Sequence, residues 1–155
     1  PSTMSEAILF DAGLFIGALL RGDPRHAEAY PLVEDARRGT LTVCTTVGIL
    51  SEVYAALTWE RAVPPHAPQR AAEVVRLLVE PPSAIQVLST SVEAGLLMLD
   101  LAAEHGLTAR RTHDARHAAM ALTAGVTRVY TYDIADWQAF ATNGLEVAGP
   151  ESVLR

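Results

Sequence analysis

The stretch Ala7-Ile8-Leu9-Phe10-Asp11-Ala12-Gly13-Leu14-Phe15 decides how the rest of the chain is read. A short apolar run of this kind suits a strand buried on both faces. It ends in one carboxylate, followed at once by small residues and a second apolar stretch. A charge is costly to bury unless it is paired, hydrogen-bonded or bound to a cation. Asp11 therefore either caps a helix that begins behind it or belongs with other acids placed in the same way.

Outward from this stretch, similar runs recur between longer helical patterns. Strands are expected near Ile8–Phe10, Leu41–Cys44, Ile85–Leu88 and Val129–Tyr132, with a weaker one near Leu145–Val147. Helices are expected over Leu14–Leu20, His26–Arg38, Val47–Trp59, Gln69–Val79, Ser91–His105 and Asp114–Thr123. Their stops are turn and cap signals: Arg21-Gly22-Asp23-Pro24, Gly39, the prolines at 64, 65, 68, 81 and 82, Gly106 and Gly125. Thr45 or Thr46 is suited to cap the third helix, and Pro31 weakens the middle of the second. Apolar strands alternating with helices imply an α/β fold, a three-layer α/β/α sandwich with a mainly parallel central sheet of four to five strands. The strands are too few for a TIM barrel, and no GxGxxG marks a dinucleotide turn.

The chain has 155 residues, 50% hydrophobic and 19% charged, which suits one compact domain with a substantial core. We expect residues 7–148 to form that domain, residues 1–6 an extension or expression remnant ahead of it, and residues 149–155 a tail. Met4 would be the native start. No apolar run approaches a membrane span and no signal-peptide pattern opens the chain, so the expected location is cytoplasmic, with no membrane partner. Cys44 is the one cysteine, which excludes an intrachain disulfide, and its apolar neighbours mark it as a core residue. The net charge of −6 argues against holding nucleic acid by bulk attraction. There is no lysine among the 155 residues. A P-loop needs one, as do the haloacid-dehalogenase-like phosphatases and the receiver domains that also start from a strand and an aspartate.

Ligands of open parallel sheets bind beyond the carboxyl ends of the strands. Asp11 falls there after the first strand and Asp133 after Val129-Tyr130-Thr131-Tyr132. Glu52 is the one acid in Val47–Leu57, a helix apolar on most faces, so it faces either solvent or a polar pocket. Asp114 opens the last long helix, where an N-cap or first-turn role is natural. Four acids gathered at one sheet edge would repel one another strongly unless a cation sat among them. Oxygen-only ligands suit Mg²⁺ or Mn²⁺, and such ions activate water and stabilise the leaving oxygen of an in-line phosphoryl displacement. That chemistry points to phosphodiester hydrolysis.

In order along the chain, the apolar strand ending in Asp11, Leu50-Ser51-Glu52, His113-Asp114-Ala115 and Thr131-Tyr132-Asp133 with Asp136-Trp137 resemble a PIN domain. More narrowly they resemble the compact ribonucleases that act as VapC toxins of bacterial type II toxin–antitoxin pairs. The resemblance covers residues 7 to 148. It implies a metal-binding catalytic quartet of Asp11, Glu52, Asp114 and Asp133, with Asp136 as a further acid and Thr131 orienting the final carboxylate or a water. It also implies an endoribonuclease cofactor of Mg²⁺ or Mn²⁺, 5′-phosphate and 3′-hydroxyl products, a homodimer, and an antitoxin partner covering a groove. Leu14–Leu20 and Val47–Leu57 are apolar enough either to line such a groove or to fill the core.

Arg110, Arg111 and Arg116 are the expected phosphate contacts for RNA, since arginine pairs bidentately with phosphate; ion pairs on a solvated helix start explain them equally well. Tyr54, Trp59 and Trp137 suit packing better than base stacking, and no role is assigned to His113 or His117. The sequence departs from the family at Ala12-Gly13, where a hydroxyl residue and often asparagine are usual. That departure favours an alternative, a catalytically weak or inactive PIN-like module that acts through protein association. A small-molecule phosphohydrolase with Asp11 as nucleophile is disfavoured by the absent lysine and by Gly13, where a second aspartate would be needed.

Overall fold

The computed structural model describes residues 3–154. Pro1 and Ser2 of the expected extension and Arg155 of the expected tail lie outside the described residues. Five strands, β1 (Ile8–Phe10), β2 (Val43–Thr45), β3 (Gln86–Val87), β4 (Arg128–Tyr130) and β5 (Glu146–Ala148), form one sheet in the order β3-β2-β1-β4-β5. All four pairings are parallel. Seven α-helices among the described residues cover the sheet as a three-layer α/β/α sandwich: α1 (Ala12–Leu19), α2 (His26–Arg38), α3 (Val47–Thr58), α4 (Pro68–Val79), α5 (Val92–Glu104), α6 (Thr112–Thr123) and α7 (Ile134–Trp137).

The central strand explains the opening stretch. Leu9 and Phe10 are fully buried, and the register sets Leu9 beside Cys44 on one side and Val129 on the other. Each large apolar side chain removed from water on this strand contributes about 1.5–3 kcal/mol. Phe10 stacks on Tyr130 at 5.8 Å and meets Phe15 of α1 at 6.0 Å, which ties strand to helix. Cys44 is buried with its thiol pushed up to about 12, as an inert core residue would be.

Several boundaries move for local reasons. Helix α1 begins at Ala12, two residues before the expected Leu14, because Asp11 accepts a hydrogen bond from the Ala12 N–H and caps it. Helix α3 is capped by Thr46, whose Oγ1 accepts from the Ile49 N–H at 3.0 Å. Pro31 sits inside α2 on its exposed side, where water can meet the carbonyl left without a partner. Gly39 closes that helix with φ 82°, a left-handed cap for which glycine is suited. Helix α6 begins at Thr112 because a 3-10 turn over Ala109–Arg111 runs straight into it. Asp136 lies within α7, and Asp133 occupies its N-cap position. A 3-10 segment over Gln138–Asn143 follows, too short and irregular for sequence periodicity to mark.

The apolar residues of α1 are mostly core: Leu14 and Phe15 are fully buried. On α3 the division is sharper, with Ile49, Val53 and Leu57 fully buried and Val47 and Tyr54 exposed. Trp137 is fully buried, while Trp59 is exposed. Among the described residues no helix is long and apolar enough to cross a membrane.

Candidate active site

Strand order places the site. β1 lies between β2 and β4, so the chain leaves it toward opposite halves of the sheet, a switch point of the kind that holds ligands in open α/β sheets. Asp11 follows β1 there, and Phe10 is in register with Tyr130, which brings Thr131 alongside Asp11. The Asp11 backbone N–H bonds to the Tyr130 carbonyl at 3.1 Å.

Asp11 is 6% exposed, yet its carboxylate is well supplied with donors. Oδ1 accepts from the Ala12 N–H at 2.9 Å; Oδ2 accepts from the Thr131 hydroxyl at 2.9 Å and from the Trp137 indole N–H at 3.1 Å. Thr131 itself is fully buried and accepts from the Asp133 N–H at 2.9 Å, so one hydroxyl links the loops that follow β1 and β4. Burial pushes the Asp11 carboxyl up, as does the negative charge of Glu52; the Ala12 and Thr131 hydrogen bonds and the charge of His117 pull it back.

Glu52 is held from the other side. His117 of α6 is fully buried, with Nε2 2.8 Å from Glu52 Oε1 and Nδ1 3.0 Å from the Thr46 hydroxyl. The chain of contacts thus runs from the α3 cap through an imidazole to the α3 acid. The two helices approach closely because residue 48 is glycine. A Cβ there would collide with the Arg116 guanidinium and lie 2.8 Å from His117 Cε1. Arg116 consequently lies against α3, with its Nε buried and without a hydrogen-bond partner among the described residues.

Glu52, Asp114, Asp133 and Asp136 line one open cavity of about 470 Å³, together with Arg110, Arg111 and His113. Asp11 and Arg116 are not among the lining residues. Asp114 is pushed up to about 7, first by burial and then by the charges of Asp11, Glu52, Asp136 and Asp133. Five acids therefore feel one another at this edge. Arg111 comes within 4.0 Å of Asp136, both side chains being more than half exposed, which makes the pair weak. Arg110 and Arg111 follow Ala109, whose φ of 52° is unusual for a residue with a Cβ. A larger cleft of about 610 Å³, lined by Arg21, His26, Tyr30, His66 and Arg70, contains no acid, so chemistry rather than volume selects the smaller one.

The structure thus brings four of the five predicted acids to one cavity and joins Asp11 to Asp133 through Thr131. As placed, no three His, Cys, Asp or Glu side chains among the described residues are close enough to enclose a metal ion. The donor set is nonetheless the one a hard divalent cation takes, carboxylate oxygens on separate elements converging on an open cavity. Sequence reasoning missed two residues that touch the acids, His117 and Trp137. A signal existed for His117: it stands three residues after Asp114, on the same helix face.

The PIN domain family model matches residues 8–141. The chain belongs to the PIN domain family. A comparison with curated protein sequences finds no match. Among solved structures, the PIN fold seen here is similar to that of VapC20 from Mycobacterium tuberculosis, a Sarcin-Ricin loop cleaving toxin. The two share 20% identity over 90% of this chain and 96% of that one, with a TM-score of 0.66. A chain of VapBC2 from Rickettsia felis, bound to a DNA fragment from its promoter, matches with 13% identity, 92% and 98% coverage and a TM-score of 0.59. A chain of FitAcB from Neisseria gonorrhoeae matches with 17% identity, 91% and 96% coverage and a TM-score of 0.59. At these identities the likeness is one of fold. It extends over nearly the full length of each partner, so this PIN domain carries no large insertion relative to them.

Proposed function

We propose that this PIN protein is a divalent-metal-dependent endoribonuclease and the toxin of a toxin–antitoxin pair. The observation that carries the reading is the gathering of Glu52, Asp114, Asp133 and Asp136 around one cavity, with Asp11 fixed to the same edge through Thr131. Mg²⁺ or Mn²⁺ would be held by Asp11, Glu52, Asp114 and Asp133, with Asp136 in reserve; when bound it would polarise a phosphoryl oxygen and activate water. The chain's own residues do the rest. Thr131 orients Asp11, His117 orients Glu52, and Arg110 and Arg111 meet RNA phosphates at the cavity mouth. Burial and the neighbouring acids push Asp114 up to about 7, so near neutrality the metal-free site can hold a proton there.

Partners follow from the same reading. An antitoxin protein would inhibit the site, and the fold likeness to chains solved in toxin–antitoxin complexes supports such a partner. Val92, Leu96 and Leu99 are exposed on α5 at helical spacing, 80%, 60% and 59% open, an apolar face that supports a homodimer.

The deciding experiment is RNA cleavage by the purified protein in Mn²⁺, Mg²⁺ or chelator, beside Asp11→Asn and Asp114→Asn. Metal-dependent cleavage lost in both variants supports the reading. A second reading, an inactive or weak PIN-like binding module, is favoured by Ala12-Gly13 and by the spacing of the acids. Failure of the parent to bind Mn²⁺ in calorimetry would establish it instead.

A further inference from the structure

Trp137 presents a feature that core packing does not require. Its ring is fully buried and meets Phe140 edge-on at 5.6 Å and 74°. A phenylalanine would supply most of that packing. What only the indole supplies is a donor, and a buried indole N–H normally finds an acceptor. The acceptor here is Oδ2 of Asp11, at 3.1 Å.

Counting acceptor sites on Asp11 shows what this does. A carboxylate offers about four lone pairs, two on each oxygen. Oδ2 uses both, one for the Thr131 hydroxyl and one for Trp137. Oδ1 uses one, for the Ala12 N–H. One lone pair of Oδ1 is left. Residue 12 adds nothing beyond its backbone, because alanine has no polar side chain.

We infer that Trp137 is a positioning residue of the site: with Thr131 it occupies Oδ2, so that Asp11 offers a divalent cation one lone pair, on Oδ1. The inference rests on the reading of Asp11 as a metal ligand. Two neutral donors fix the plane of the carboxylate without bringing in a positive charge that would compete with the cation. Partners that hydrogen-bond a ligating side chain fix its orientation, and mutating one typically costs about 10–100-fold in metal affinity or activity.

The test uses Trp137→Phe, which keeps an aromatic ring and removes the N–H, and reads Mn²⁺ affinity by calorimetry with folding checked by circular dichroism. We expect affinity to fall about tenfold with the fold retained. Trp137→Phe binding Mn²⁺ as tightly as the parent overturns the inference and leaves the nuclease reading standing. A parent that binds no Mn²⁺ overturns both. Should the variant fail to fold, the parent itself supplies the second measurement. The protein has two tryptophans, of which Trp59 is exposed and Trp137 buried. In ¹⁵N–¹H spectra the Trp137 indole resonance should move on Mg²⁺ addition and in Asp11→Asn, with Trp59 unmoved; a Trp137 resonance indifferent to both overturns the inference.

Discussion

The imidazole of His117 joins Thr46 to Glu52: its Nδ1 lies 3.0 Å from the threonine hydroxyl and its Nε2 2.8 Å from the carboxylate. Thr46 Oγ1 already accepts from the Ile49 N–H, so its proton is free to point at Nδ1. With the Thr46 hydroxyl donating to Nδ1, the ring N–H on Nε2 donates to Glu52. The cap that starts α3 and the acid nearly two turns further along it are thereby held by one side chain of α6.

Replacing His117 by leucine would leave the Thr46 hydroxyl and one Glu52 oxygen without their partner. Unpaired buried groups cost about 1–3 kcal/mol each, and His117 is fully buried while Glu52 is partly open. We expect His117→Leu to lose about 2 kcal/mol in urea denaturation, and His117→Gln to lose less because its amide can still donate to Glu52. Equal losses for the two would show that ring volume, not hydrogen bonding, sets the cost.

The acid cluster gives the metal-free protein an unusual pH dependence. The Asp114 carboxyl is pushed up to about 7 by burial and by Asp11, Glu52, Asp136 and Asp133, against an unfolded value near 3.8. Between those values the folded chain binds more protons at this site than the unfolded chain does, so stability falls as pH rises. Burial shifts the Asp11 carboxyl the same way. The expected outcome is a midpoint of thermal unfolding that drops between about pH 4 and 7 through Asp114. Asp114→Asn should flatten that slope, and Mg²⁺ added above pH 7 should raise the midpoint. A slope unchanged in Asp114→Asn would place the effect elsewhere.

Much of this fold was legible because parallel strands buried on both faces print as apolar runs, as at Ile8–Phe10, and because Gly39 and Thr46 mark helix ends by their own chemistry. The helix starts were less legible. Asp11 was readable as a cap or as a site residue, and the structure makes it the cap of α1 as well as a buried neighbour of the other acids, two roles that one residue name does not separate. Glu52 announced itself as a lone acid in an apolar helix. Its partner His117 did not, since contact between residues 65 apart depends on how α3 and α6 cross. Trp137 read as packing, which it is; the direction of its N–H is a matter of tertiary register alone.

Arg110 and Arg111 border the cavity on an exposed turn, and removing either should leave the core untouched. On the proposed reading, their effect falls on RNA binding. Every single-strand phosphate that a protein no longer neutralises lowers the slope of log affinity against log salt by about 0.7. We expect Arg110→Ala with Arg111→Ala to reduce that slope by about 1.4, measured by fluorescence anisotropy on single-stranded RNA with Asp114→Asn present to prevent cleavage. Arg116→Ala, whose guanidinium lies against Gly48, should change the slope less. A parent whose RNA affinity is independent of salt would remove the arginines from the substrate path.

Gly48 supplies the most direct test of how α3 and α6 fit together. Gly→Ala normally stabilises a helix by about 1 kcal/mol in its interior and by less in the first turn, where Gly48 lies. Here the new methyl would collide with the Arg116 guanidinium and come within 2.8 Å of His117 Cε1. The guanidinium can swing away, being the far end of a flexible chain, but the imidazole is pinned by Thr46 and Glu52. Gly48→Ala should therefore destabilise by about 1–3 kcal/mol, as overpacking does. Adding Arg116→Ala should recover only part of the loss, since His117 remains in the way. Full recovery in that double variant would mean that the arginine alone demands glycine and that the imidazole is freer than its hydrogen bonds imply. A gain in stability from Gly48→Ala by itself would show that the two helices can separate at no cost, and with them Glu52 and His117.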